Sequence, residues 1–247
     1  MLVSVLTLFF ISQPVYFTIF IDDLSKIPSD IKSFFVPKNI AYSAGILSLS
    51  AVLFIADGEV RRFAKRIDVP DYIQDFTSFL GDGRFITTFG LSLYAISLIS
   101  GEKRAKTAFL SAIESTGITA FFNEVVKFST GRGRPYYTGN PYSFKFMGGF
   151  ESDDRKSFFS SHTSGSFSYW SCLERFWDSP FSKTLYVIPT MVALSRIKTN
   201  AHWFSDTVAG AGIGYILGRH IAQRRIDEEK KLRGTPHPEE ISPISSP

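Results

Sequence analysis

Cysteine is nearly absent. Cys172 stands alone in 247 residues, which excludes an intrachain disulfide framework and any cysteine-based zinc cluster. Beyond the first twenty residues, uncharged apolar runs reach only about 17 residues, short of the ~20 that a straight membrane span uses. No dense basic block accompanies the net charge of +4, so nucleic acid is a poor partner and none is expected. Long alternations of polar and apolar residues are missing, as is any repeat of fixed period, which argues against sheets and solenoids. What remains is 44% hydrophobic, rich in phenylalanine (25 residues) and 20% charged, too apolar for a disordered chain and long enough for one all-α domain.

Along the chain, Met1 to Phe20 is uncharged and interrupted by Pro14; it reads as an export signal or membrane anchor, with an ordinary buried segment as the alternative. Ile21 to Asn39 carries charges and two prolines and reads as a surface connection. Six segments read as apolar helices: Ile40–Ala56, Phe85–Ser100, Thr107–Val126, Thr163–Leu173, Leu185–Ser195 and Thr207–Gly218. In the last, Ala209 to Gly214 is rich in small residues that permit close helix approach. Asp57 to Arg84 reads as a solvated amphipathic stretch. The expected division is a signal or anchor (1–20), a helical domain (21–223, with its motifs in 103–219) and a polar tail (224–247) that passes from the helix-like RRIDEEKKLR to a disordered proline- and serine-rich end, with His220 and His237 solvated.

Three polar clusters interrupt the apolar pattern at helix ends. In KFSTGRGRP, Lys127 and Arg134 flank a glycine turn and can converge on one anion, although such a stretch also simply caps a helix. In SFFSSHTSG, Ser160, Ser161 and His162 precede an apolar helix, an arrangement suited to an anion and equally to N-capping. In SRIKTNAHWFSD, the spacing of four puts His202 and Asp206 on one helical face, where the carboxylate can fix the imidazole tautomer or make a structural hydrogen bond.

Taken together, Lys127, Arg134, Arg196, the serine and backbone donors and two histidines form the inventory that phosphoryl transfer needs. Fixed cations and N–H dipoles stabilise charge spreading over the equatorial oxygens. His202 can attack phosphorus, His162 can protonate the leaving oxygen and later activate water, and the cations supply charge compensation without a metal or other cofactor.

The clusters resemble the tripartite signature of the type 2 phosphatidic acid phosphatase superfamily, which also contains bacterial non-specific acid phosphatases and vanadium haloperoxidases. Lysine, six residues and Arg-Pro stand at Lys127 to Arg134-Pro135; Ser-Arg, five residues, His, three residues, Asp is complete at Ser195, Arg196, His202 and Asp206. The middle Pro-Ser-Gly-His departs as Phe159-Ser160-Ser161-His162, with a serine where the glycine backbone would approach phosphate. The resemblance implies a six-helix bundle, membrane-embedded, with Lys127, Arg134, Ser160, Ser161 and Arg196 around phosphate, His202 as nucleophile, Asp206 orienting it and His162 as acid/base. It implies a metal-independent phosphatase of phosphomonoesters or diphosphates, with a phosphorylated lipid (phosphatidate, polyprenyl diphosphate or lipid A type) or a small phosphomonoester as substrate. The expected place is a bacterial inner membrane with the site facing the periplasm, a soluble periplasmic bundle being the alternative; a vanadium haloperoxidase and a non-catalytic phosphate- or lipid-binding protein are the rival functions. Tyr136, Tyr137, Phe158, Phe159 and Trp203 are candidates to line a lipid entrance.

Overall fold

The computed structural model describes residues 25–234, and the expected signal or anchor (1–20), the final residues 235–247 and His237 lie outside them. Helices α1 (Ile27–Phe34), α2 (Pro37–Leu53), α3 (Asp57–Arg66), α4 (Asp71–Leu80), α5 (Gly83–Ser100) and α6 (Lys103–Thr130) are followed by the short α7 (Pro135–Thr138), then α8 (Ser161–Trp177), α9 (Val187–Lys198) and α10 (Phe204–Gly234). The fold class is all-α, with no strand among the described residues. The six long helices α2, α5, α6, α8, α9 and α10 overlap the six apolar segments; α6 and α10 run beyond theirs at both ends, whereas α2 stops short of Ala56 and α9 starts after Leu185.

The seam between α8 and α10 is built from small residues. A Cβ on Gly210 would come within 2.8 Å of the Ser160 carbonyl oxygen, and one on Gly214 or Gly218 would overlap the carbonyls of Ser164 and Ser168. One glycine per turn therefore lies on one serine backbone per turn, and the two helices touch main chain to main chain. The interior around this seam is largely polar and small: Ser111, Ser115, Thr119, Asn123, Ser164, Ser166, Ser168 and Ser171 are all buried. The Thr119 hydroxyl donates to Ser168 Oγ at 3.0 Å and the Asn123 amide to Ser164 Oγ at 2.9 Å, so side-chain hydrogen bonds join α6 to α8. Toward the other end Tyr169, Cys172, Leu173 and Phe176 of α8 pack with Ile86 of α5 and Ala108 and Ala112 of α6. Large apolar side chains face outward instead, among them Val52, Ile55, Ile96, Ile99, Phe121 and Leu194.

Four expectations are corrected. The supposed connection before residue 40 contains α1, whose Ile27, Ile31 and Phe34 pack on Ile118, Leu217 and Ile221. The polar tail does not begin at Arg224: α10 continues through Gly234, because Asp30 pairs with both Arg224 and Arg225 while Arg225 also meets Glu114 at 2.9 Å. His220 is not solvated. Its Nδ1 accepts from Asn39 at 3.0 Å, its Nε2 meets Ser33 Oγ at 2.9 Å, and its ring stands edge-on to Phe34. The stretch after Asp57 is two helices, α3 and α4, and its first residue is buried rather than wet.

Candidate active site

All three clusters meet at one end of the bundle. Helix α6 stops because Gly131 takes a left-handed conformation (φ +54°), its N–H closing on the Lys127 carbonyl at 3.1 Å. This leaves Lys127 in the last turn, 5% exposed, with its ammonium on the Ser161 hydroxyl and 3.4 Å from Glu124. The chain beyond is fixed by Gly133 N–H to the Ser143 carbonyl and Arg134 N–H to the Asp154 carbonyl, both 2.8 Å. Arg134 Nε rests on the Asp153 carbonyl at 3.0 Å, and its guanidinium lies 6.0 Å from the ring of Tyr136.

The serine pair divides its work. Ser160 is fully buried and is the N-cap of α8, accepting from Thr163 N–H at 3.4 Å and from the Thr163 hydroxyl at 3.0 Å. Its own N–H goes to the Asp206 carbonyl at 3.2 Å. Ser161 is the serine turned toward the cations, taking the Lys127 ammonium and donating to Asn123 Oδ1 at 3.0 Å. Asn123, one turn before Lys127, thus holds the residue that replaces the signature's glycine. His162 follows in the first turn of α8, with Arg196 and Asp82 as charged neighbours of opposite sign.

His202 sits in the bend between α9 and α10. The Arg196 carbonyl accepts from both Ala201 N–H and His202 N–H at 3.1 Å, and Asn200 turns the chain at φ +60°. His202 is 3% exposed, and its Nδ1 lies 2.8 Å from the Ser157 carbonyl. A carbonyl only accepts, so Nδ1 carries the proton and Nε2 keeps its lone pair. Burial, then the cations Arg134, Lys127 and Arg196, hold the imidazole well below its ordinary pKa and therefore neutral.

Asp206 was expected to orient His202 directly. Its carboxylate is instead 3.7 Å from Nδ1, beyond hydrogen-bond range, and is committed elsewhere. It accepts from Trp203 N–H at 2.9 Å, the return bond of a capping box at the start of α10, and from the Ser157 hydroxyl at 2.6 Å. Ser157 therefore bridges the pair, its carbonyl on the imidazole and its hydroxyl on the carboxylate.

The largest feature missed in the sequence is Arg132. It is completely buried, and all five of its N–H groups find acceptors: Nε and Nη2 on the Pro141 carbonyl (3.0 and 2.7 Å), Nη2 on Asp57 (2.7 Å), Nη1 on Ser205 Oγ (2.8 Å) and on Asp206 (2.5 Å). Its face lies 4.2 Å from the Phe54 ring centroid. Asp57 in turn accepts from Ser205 N–H at 2.8 Å and Ser205 Oγ at 2.6 Å. Arg132 thus braces the carboxylate beneath the histidine and is not a phosphate ligand. Trp203 and Phe159, expected at a lipid entrance, are buried at 1% and 3%: the indole N–H is spent on the Gly133 carbonyl at 2.9 Å and Phe159 packs with Ala209 and Ile213. Tyr136 and Tyr137 are exposed at the rim.

Arg134 and Arg196 have no carboxylate within ion-pair distance among the described residues, and Arg196 Nε is buried without a hydrogen-bond partner. A buried guanidinium N–H left open is costly unless an anion takes it. No three His, Cys, Asp or Glu side chains gather as metal ligands would among the described residues.

No curated protein matches the chain in sequence. In structure it is similar to the crystal structure described as the first transmembrane PAP2-type phosphatidylglycerolphosphate phosphatase from Bacillus subtilis, with a TM-score of 0.57 at 19% identity, covering 78% of this chain and 98% of that one. At that identity the likeness speaks for the fold. Residues 108–228, which hold all three clusters, match the model of the PAP2 superfamily.

Proposed function

We propose that the chain is a phosphatase that cleaves phosphate from a lipid, using His202 as nucleophile and His162 as acid and base. The observation that carries this reading is the buried Arg196 Nε without a partner, in a site where a neutral histidine offers Nε2 among cations. Phosphate oxygens take up Lys127, Arg134 and Arg196, with Ser161 beside the lysine. His202 Nε2 bonds to phosphorus as the ester oxygen departs, and His162 gives that oxygen its proton. Water, losing a proton to His162, then displaces the histidine and releases inorganic phosphate. Asp206 acts through Ser157 and the α10 cap, holding the bend that presents His202.

A membrane setting is supported by the small polar residues buried along the seam of α6, α8 and α10 together with the many large apolar side chains that face outward. Among the described residues α5 is long and apolar enough to cross a bilayer, and α2 with α3 qualifies only as one span bent by 69°. The basic residues Lys103, Arg104, Lys106 and Arg219, at the end away from the site, favour that end as cytoplasmic and the site as periplasmic; Arg61 to Arg66 runs against this order. The structural relative's substrate, a phosphorylated anionic glycerolipid, is the lipid class we infer here.

The test is phosphate release by the detergent-solubilised chain, with EDTA present, from p-nitrophenyl phosphate, phosphatidate, phosphatidylglycerol phosphate and polyprenyl diphosphate. Turnover of at least one lipid is expected, and silence on all four from a folded chain would sink the reading. The neutral form of His202 reacts, so activity is lost as pH falls through its lowered pKa. The acid limb of kcat/KM, which reports the free enzyme, is expected well below 6.5. An acid limb at or above 6.5 contradicts the assignment.

His162→Gln is expected to lower kcat about 10²- to 10⁴-fold on phosphatidate. The loss should be smaller on p-nitrophenyl phosphate, whose leaving oxygen needs less help from an acid. Equal losses on the two substrates would remove His162 from the leaving-group step.

A further inference from the structure

The far end of the bundle holds a second site. Helix α10 carries Asp206 in its first turn and Arg219 thirteen residues later, so the two lie roughly 20 Å apart along the axis at 1.5 Å per residue. Beside Arg219 opens a cavity of about 480 Å³ whose cationic lining is Lys38, Arg175 and Arg219, with Tyr42 and Tyr215 on its walls and no carboxylate among its described lining residues. The cations are held in place from behind. Arg219 pairs with the buried Glu174, Arg175 gives one edge to Gln223 (2.8 Å) and another to Asp178 (2.6 Å), and Lys38 lies 5.8 Å from the Tyr42 ring centroid. Each arginine retains donors beyond these bonds.

Tyr42, Tyr215 and Ile216 also line a second cavity of about 910 Å³, which is apolar and runs between α2, α8 and α10 past Gly45, Ile46 and Ala211 to Phe167 and Val208. The two volumes fall in the range of small-molecule sites and share a wall. One end is cationic and the rest is greasy, which is the chemistry of an anionic amphiphile. Basic pockets between helices at a membrane face bind lipid head groups in this way.

We propose that this composite groove is a binding site for an anionic phospholipid, distinct from the catalytic pocket, with the head group on Lys38, Arg175 and Arg219 and the acyl chains in the cleft past Gly45. The proposal rests on the membrane residence argued above and not on the phosphatase chemistry. The lipid ties α2 to α8 and α10 along the flank of the glycine seam.

The experiment titrates the detergent-solubilised full chain with dioleoyl phosphatidylglycerol or dioleoyl phosphatidylcholine, following the thermal midpoint and the bound lipid by native mass spectrometry. Phosphatidylglycerol is expected to raise the midpoint and to remain bound, and phosphatidylcholine to do neither. In K38Q/R175Q, which spares the buried Glu174–Arg219 pair, affinity for phosphatidylglycerol should fall roughly 10- to 30-fold. Gly45→Leu adds bulk where a Cβ meets nothing within 4 Å and should abolish retention without disturbing the fold. Both variants should turn over p-nitrophenyl phosphate at the wild-type rate, and R196Q should keep the phosphatidylglycerol response. Equal responses to the two lipids would overturn the proposal. So would a response that survives in K38Q/R175Q and Gly45→Leu but is lost in R196Q, because the lipid would then be seated in the catalytic pocket.

Discussion

Replacing His202 is expected to end catalysis while leaving the bundle standing. His202→Ala removes the only atom placed to bond phosphorus in the proposed mechanism, so kcat should fall by about 10⁴-fold or more, the scale seen when a nucleophile is deleted from an otherwise intact site. It also strips the Ser157 carbonyl of its donor, costing about 1–3 kcal/mol for a buried acceptor left open. His202→Asn separates the two effects, since its amide can still donate to that carbonyl but cannot act as a nucleophile. The asparagine variant should be as inactive as the alanine variant and nearly as stable as wild type. Single turnovers with ³²P-labelled substrate, quenched in alkaline SDS because the N–P bond of a phosphohistidine survives alkali and not acid, give the direct readout: wild type passes through a labelled chain, His202→Asn never does. Activity above about one per cent of wild type in His202→Asn would exclude His202 as the nucleophile.

Arg132 carries the largest expected effect on stability. Arg132→Met keeps much of the volume but withdraws five N–H groups at once, leaving the carboxylates of Asp57 and Asp206 buried against Phe54 and Trp203. Breaking a buried pair from one side costs about 3–5 kcal/mol, because the remaining charges have nowhere to go. For a chain of this size that is a fall of roughly 10–15 °C in Tm. Arg132→Lys should not rescue it, since three donors cannot replace a planar fork of five. Adding Asp57→Asn to Arg132→Met removes one of the stranded charges, and the double variant should be more stable than Arg132→Met alone. A double variant less stable than the sum of the two singles would show that Asp57 and Arg132 do not act as a pair.

The six long helices were legible because their apolar runs are uninterrupted and nothing local competes. The three clusters were legible because residue type and spacing both carry chemistry. What was hidden depended on partners far away in the chain. Arg132 sits in plain view within GRGR, yet its burial follows from Asp57, 75 residues earlier, and Asp206, 74 residues later. Arg224 and Arg225 look like the start of a solvated tail until Asp30 and Glu114 are placed beside them. Ser157 opens the SFFSSHTSG cluster, yet nothing in the sequence singles it out there, and its bonds to His202 and Asp206 come from folding alone. The His202–Asp206 spacing did predict proximity; it did not reveal that a serine stands between them.

The glycine ladder of α10 also bears on how accurately this site can hold its geometry. His162 rides on the start of α8 and His202 on the bend just before α10, so the gap between the proposed acid and the proposed nucleophile follows the separation of those two helices at their ends. With Gly210, Gly214 and Gly218 lying on the carbonyls of Ser160, Ser164 and Ser168, that separation is set by contact between main chains and involves no side-chain rotamer. A spacer made of leucines can breathe as its χ angles hop, whereas this one is a hard stop. The two histidines are calibrated against each other in the manner of a gauge block whose reference length lies in the glycine seam below.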